Sequence, residues 1–169
     1  MVRMVCKRLP ASEATLSFLS TFIAQEHIQA GLDDRLRDAY GVWRFFTWIR
    51  FGKNRAYGVF ELNDAGEAER FCGFQLGNLD ADGFFENHAF WGRKIPTLQC
   101  VTLCCQEMRR EYDEEGIDVR GVVSYIPDCN RAAKLLARRF GCKDGGLRAD
   151  RIWMKRGKSY PCREFRMAW

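Results

Sequence analysis

Residues 124–146 read SYIPDCNRAAKLLARRFGCKDGG, and the order of signals in them decides the fold. The opening residues close the run VRGVVSYI at 119–126, whose Val and Ile side chains branch at Cβ and suit an extended strand. Pro127 lacks a backbone N–H and Asp128 favours a turn, so the strand stops there. Asn130 is a good helix cap. Ala133, Leu136, Ala137 and Phe140 follow at helical spacing, which predicts a helix that turns this stripe inward until Gly141 ends it.

Upstream, Gly92 and Pro96 break a strand, and from Thr97 the positions Leu98, Val101, Cys104 or Cys105, Met108 and Tyr112 mark one face of a helix ending near Gly116. Before it come AYGVFEL at 56–62, FCGFQLGNL at 71–79 and FFENHAFW at 84–91, parted by the turn sets 63–66 and 80–83, an antiparallel meander. The chain begins with a strand at 4–9, stopped by Pro10. Ser12 then opens a helix with Leu16, Leu19, Phe22 and Ile23 on its apolar face, and a shorter helix follows Gly31, started by Asp33 and Asp34 and burying Leu36 and Ala39. Two last strands at 147–155 and 162–169 flank a turn at 157–159. The class is α+β. A helix between strands 84–91 and 119–126 makes the fourth and fifth strands parallel neighbours with a right-handed crossover, and a splay between them would open a cleft.

Composition agrees with one globular domain over residues 1–169. Apolar residues make up 47% and aromatics 14%, enough to offset the entropy of ordering. Net charge is 27 − 22 = +5, without a basic tail, and no run approaches the roughly 18 apolar residues of a membrane span. Residues 1–10 lack the apolar core of a secretory signal, so a cytoplasmic location is expected and the eight cysteines are read as buried thiols. Without a C-x-x-C pair, a metal site is not expected.

With that order in place, 124–146 resembles the closing half of acyltransferases of the GNAT superfamily: a strand, an Asn, an alanine-bearing helix and a Gly 141 − 130 = 11 positions after the Asn. Cys142 stands where the family usually has Phe, and Lys143, Asp144 and Gly145 match its polar turn. FCGFQLGNL is similar to the family's third strand and FFENHAFWGRK to its fourth strand and phosphate loop, with His88, Ala89 and Phe90 similar to a divergent bacterial and phage subset. The resemblance implies a mixed, mostly antiparallel twisted sheet of six to seven strands with helices on both faces and splayed parallel fourth and fifth strands. It implies acetyl-CoA as cosubstrate, held by Phe90, Trp91, Gly92, Arg93, Lys94, Thr97, Asn130 and Ala133. Independently of the family, unpaired N–H groups at a helix start next to Arg93 and Lys94 suit a phosphate.

Two departures qualify this reading. The loop has one Gly and carries Pro96 where the family has N–H donors, and Ala137 occupies the place of the family's Tyr, which protonates the departing thiolate. Candidate bases are Glu86 and His88, which alternation puts on one face of their strand with Phe84 and Phe90, and a carboxylate beside His88 would poise it near neutrality. Ser124 and His27 are weaker candidates for the acceptor wall. The expected activity is transfer of acetyl from acetyl-CoA directly to an amine of a small molecule or protein. The alternative is a noncatalytic protein of the same fold, encoded by a phage or prophage. Self-association into a homodimer stays open. The segment VWRFFTWIRF at 42–51 mixes aromatics with Arg44 and Arg50, as nucleic-acid-binding surfaces do, but covering the sheet explains it as well and a nucleic-acid partner is disfavoured.

Overall fold

The structure is a computed structural model that describes residues 3–38, 41–42, 44, 47 and 54–169. Most of the aromatic and basic segment (Trp43, Phe45, Phe46, Trp48, Ile49, Arg50 and Phe51) and the expected helix position Ala39 lie outside the described residues.

Seven strands form one sheet: β1 (Met4–Leu9), β2 (Arg55–Leu62), β3 (Ala68–Leu79), β4 (Phe84–Trp91), β5 (Gly121–Pro127), β6 (Lys143–Lys155) and β7 (Lys158–Ala168), in the spatial order β1-β2-β3-β4-β5-β7-β6. Every pairing is antiparallel except β4 with β5. The crossover between those two is α3 (Thr97–Glu114), and α4 (Arg131–Phe140) leads from β5 to β6. α1 (Glu13–Ile23) and the one-turn α2 (Glu26–Gln29) lie on the opposite face. Both faces carry a core. Cys6, Tyr57, Val59, Phe85 and Val122 pack with Val101, Cys104, Met108 and Tyr112 of α3, while Phe74, Leu76 and Phe90 pack with Leu19, Phe22 and Ile23 of α1. Fully buried Leu19, Phe74 and Phe85 each contribute about 2–3 kcal/mol of transfer free energy.

Several expected boundaries move. The helix expected after Gly31 is instead α2 ahead of it and a single 3-10 turn at Asp34–Leu36, because Asp33 turns its carboxylate to the backbone N–H of Arg35 (2.9 Å) and to the distant Met154 N–H (2.8 Å). Leu98 is 42% exposed and Cys100, two positions on and so on the opposite side of the helix, takes its place in the core. No residue of α4 is fully buried; Leu136 and Phe140 are half-covered against the α3-side core. β6 and β7 each begin four residues earlier than expected, and their turn is Arg156–Gly157. β7 lies inside β6. The edge position falls to β6, whose charged residues and two register breaks would fit poorly in the middle of a sheet.

Candidate active site where β4 and β5 part

β4 and β5 are paired at Phe84–Gly121, Phe85–Val122 and Glu86–Val123, and the pairing ends there. Each strand keeps its other neighbour: β4 follows β3 to Trp91, and β5 follows β7 to Pro127. The strands diverge toward their C-terminal ends. At the first unpaired step, the amide of Asn87 donates to Ser124 Oγ at 3.4 Å across the gap, and Asn87 Oδ1 is buried without a hydrogen-bond partner. Gly77 of β3 lets β4 run this close, since a Cβ there would lie 1.8 Å from the Glu86 carbonyl oxygen.

Alternation places Glu86 and His88 on the α1 side and Asn87 and Trp91 on the α3 side, as the sequence predicts. Glu86 is largely enclosed, and both its oxygens accept from Arg151, at 3.1 Å from Nη1 and from Nη2. The guanidinium lies over the Tyr125 ring, 4.3 Å from its centroid. Arg151 reaches this far because β6 breaks register between Arg148–Cys162 and Ile152–Pro161, pushing residues 149–151 out of the ladder. Nearby, Arg148 donates to Glu164 (2.6 Å) and to both oxygens of Asp150.

His88 Nε2 lies 3.8 Å from Glu86 Oε1. The expectation of a near-neutral imidazole fails. Desolvation in the cleft and then the positive charge of Arg151 push its pKa down to about 4, so the ring is neutral at pH 7 and a weak base. Although 37% of the side chain stays accessible, burial of the ring and the neighbouring cation act in the same direction.

On the other side, the loop after β4 meets the start of α3. Gly92 N–H is held by Cys72 O (2.8 Å), Lys94 turns the chain with φ 54°, and exposed Arg93 and Lys94 flank the helix. Pro96 supplies no side-chain cap, and the first intrahelical bond of α3 runs from Cys100 N–H to Pro96 O (3.1 Å). The amides of Leu98 and Gln99 therefore precede it and point out of the helix end. Thr97 N–H is already used by Ile95 O (2.9 Å). The Asn130 side chain caps α4 through Ala133 N–H (3.0 Å), which gives both residues a local structural role. Phe90 belongs to the α1-side core, and Trp91 Nε1 is buried without a hydrogen-bond partner.

A clasp joins the 3-10 turn to the β6–β7 hairpin. Asp33, 3% exposed, accepts from Arg35 Nε and Nη2 (both 2.8 Å) as well as from Met154 N–H. Arg35 also donates to Ile152 O (2.7 Å), and Asp34 accepts from Gly157 N–H (2.9 Å). Two cavities flank this region, and the larger one reaches the loop after β4 through Gly92 and Arg93. One of about 440 Å³ runs along Phe18, Phe22, His27, Arg70 and Arg93, and one of about 350 Å³ lies beside Arg8 and Arg55. Neither is lined by Glu86 or His88.

Sequence reasoning missed Arg151, Tyr125 and the orphaned Asn87 oxygen. Nothing local marks Arg151, which lies 65 residues from Glu86 in sequence and reaches it only through the bulge in β6.

No protein-family model and no curated protein matches the chain. Solved structures do. They include the Salmonella typhimurium acetyltransferase that modifies the N-terminal serine of ribosomal protein L7/L12 (12% identity, 99% of each chain covered, TM-score 0.73). A GNAT-family acetyltransferase from Streptococcus pneumoniae matches at 12% identity over 99% of this chain and 100% of that one, with TM-score 0.65. The spermidine N-acetyltransferase of Vibrio cholerae, in complex with CoA and spermine, matches at 9% identity over 98% and 95%, with TM-score 0.68. The chain has the fold of the GNAT acetyltransferases.

Proposed function

We propose that the chain is an N-acetyltransferase that moves acetyl from acetyl-CoA directly to an amine. The observation that carries this reading is the parting of β4 from β5 just after Glu86 and Val123, with a buried, unpartnered acceptor at Asn87 Oδ1 on one side and the Glu86–His88 pair on the other. A buried oxygen left without a donor costs about 1–3 kcal/mol, and an amide N–H of a pantetheine chain in the gap would satisfy it. The residues present fit acetyl-CoA: Asn87 and Ser124 at the parting, Trp91 and Gly92 at the strand end, Ala133 and Ala137 as small half-covered groups on α4, and Arg93, Lys94 and the α3 amides for the pyrophosphate. Acetyl-CoA supplies an activated acyl carbon and a good leaving group. CoA bound to the Vibrio cholerae enzyme of the same fold supports this assignment.

Glu86 holds the acceptor's ammonium and takes a proton from it toward solvent. Nitrogen then bonds to the acyl carbon, the carbon–sulfur bond breaks, and the second proton lost by nitrogen ends on the CoA sulfur. With Ala137 in place of a phenol, water delivers that proton. A second reading, a noncatalytic binding protein, is favoured by one observation: Arg151 already occupies the carboxylate that would receive the amine.

Calorimetric titration with acetyl-CoA, followed by thiol release over a panel of amines, separates the two. Saturable binding at one site is expected, and replacing Arg93 and Lys94 together by Ala lowers affinity by about 100-fold, at about 1.5 kcal/mol per charged hydrogen bond. Glu86→Gln keeps affinity and loses turnover. Binding without turnover of any amine selects the noncatalytic reading; absence of binding refutes the site.

A further inference from the structure

The Glu86–Arg151 pair also says which amine the site takes. We propose that the acceptor is a zwitterion of the α-amino acid type, bound by exchange into this pair: its ammonium replaces Arg151 on Glu86, and its carboxylate replaces Glu86 on Arg151. This rests on the transferase reading above and narrows it.

The geometry is that of two parallel N–H to oxygen contacts at 3.1 Å between strands that are not neighbours. A planar guanidinium presents a fork that matches any carboxylate equally well, so the partner is exchangeable without loss of geometry. Tyr125 lies under Arg151 and holds the cation in place when its first partner leaves. The other carboxylates near it are already engaged: Glu164 accepts from Arg148 (2.6 Å) and pairs with Arg166 (3.1 Å), and Asp150 accepts from Arg148 through both oxygens.

Three kinds of amine therefore meet the pair differently. A neutral amine gains nothing by opening it. A plain cation wins Glu86 only by leaving the Arg151 charge without a carboxylate. An α-amino acid carries both charges across one carbon, with nitrogen and carboxylate carbon about 2.5 Å apart from standard bond lengths, on the scale of the contact it enters. Both protein charges stay compensated. The nitrogen is left on Glu86, the last residue of β4 that pairs with β5, at the mouth of the gap where the acyl carbon is proposed to lie. The neutral His88 ring, 3.8 Å from Glu86, adds no competing charge there.

The test compares kcat/KM, by thiol release at saturating acetyl-CoA, for each common L-amino acid and its primary amide, with spermidine as a plain polycation. At least one acid is expected to exceed its amide by about tenfold or more. Arg151→Gln brings that ratio close to one, and Arg151→Lys, which keeps the charge but not the fork, leaves a reduced preference. A second measurement uses the parent side chain and stands even where Arg151→Gln folds poorly. Without acetyl-CoA, the imidazole NMR signal of His88, told from that of His27 with His27→Gln, moves on titration with the preferred acid and not with its amide. The inference is overturned by amides or spermidine matching the acids, by an acid preference that survives in folded Arg151→Gln, or by acetyl-CoA binding with no acid turned over. Failure to bind acetyl-CoA overturns the transferase reading itself, which keeps the two failures apart.

Discussion

Replacing Arg151 by Gln should change the protonation of His88, whose charge it opposes. His88 has its pKa pushed down to about 4 by desolvation first and by the charge of Arg151 second, while the nearby Glu86 charge is offset by its bidentate pair. Without the guanidinium, the repulsion disappears and an uncompensated carboxylate faces the ring at 3.8 Å. A pair at that distance is worth about 1 kcal/mol in water-like surroundings and about 4 kcal/mol at a protein-like effective dielectric. His88 is 37% exposed, so solvent screening favours the lower part of that range, about 1–2 kcal/mol, or about one pH unit. The midpoint should therefore rise from about 4 to about 5 or above. The sign is fixed, because removing a cation and freeing an anion both favour the imidazolium. The assay is a pH titration of the imidazole resonances with His27→Gln as the common background. A midpoint that stays put or falls in Arg151→Gln would refute the account of the cleft, leaving desolvation alone to explain the depressed value.

Asp33→Asn removes the carboxylate that accepts from Arg35 and from Met154 N–H, and should cost about 2 kcal/mol, lowering Tm by about 4–8 °C in a scanning melt. Burial raises the Asp33 pKa, but hydrogen bonds from Arg35 and Met154 outweigh it and hold it below the usual carboxylate value, so the clasp's stability is present above the unfolded pKa and lost as pH falls through the lowered one. Denaturant midpoints taken between pH 5 and pH 2.5 should converge for parent and Asp33→Asn; a gap that stays constant would sink the assignment. Gly77→Ala forces a Cβ against the Glu86 backbone carbonyl, so it should separate β3 from β4 and cost about 3 kcal/mol or more by urea denaturation, whereas an unchanged midpoint would mean that the strands are not this close.

The scaffold was readable from local signals because each element carries its own punctuation. Ser12 and Asn130 cap their helices through Thr15 N–H and Ala133 N–H, the 63–66 turn closes through Gly66 N–H to Asn63 O, and the apolar periods of α1 and of α3 from Val101 onward match what is buried. Glu86 and His88 were placed on a shared face by alternation alone. What escaped is non-local. The order β5-β7-β6 depends on which strand tolerates an edge, and the α2 region on a carboxylate that finds its donor 121 positions away at Met154. Arg151 combines both problems, since its role needs a bulge in an edge strand and a partner three strands across the sheet. Its effect on His88 also explains why a sequence-based expectation of a near-neutral imidazole went astray: the carboxylate is beside the ring, but its charge is already answered.

The period-2 geometry of β4 gives the site a division of labour that no single residue provides. Glu86 and His88 project to the α1 side, where the clasp of Asp33 with the β6–β7 hairpin closes a wall, and Asn87 and Trp91 project to the α3 side beside the loop of Arg93 and Lys94. A donor entering from the helix side and an acceptor entering from the clasp side would meet only where the strands have parted, after Glu86 and Val123. The proposed direct transfer needs no covalent enzyme intermediate in that arrangement. Two buried thiols of α3 are pushed up, Cys100 and Cys105 to about 12, so they are protonated and poorly nucleophilic at neutral pH.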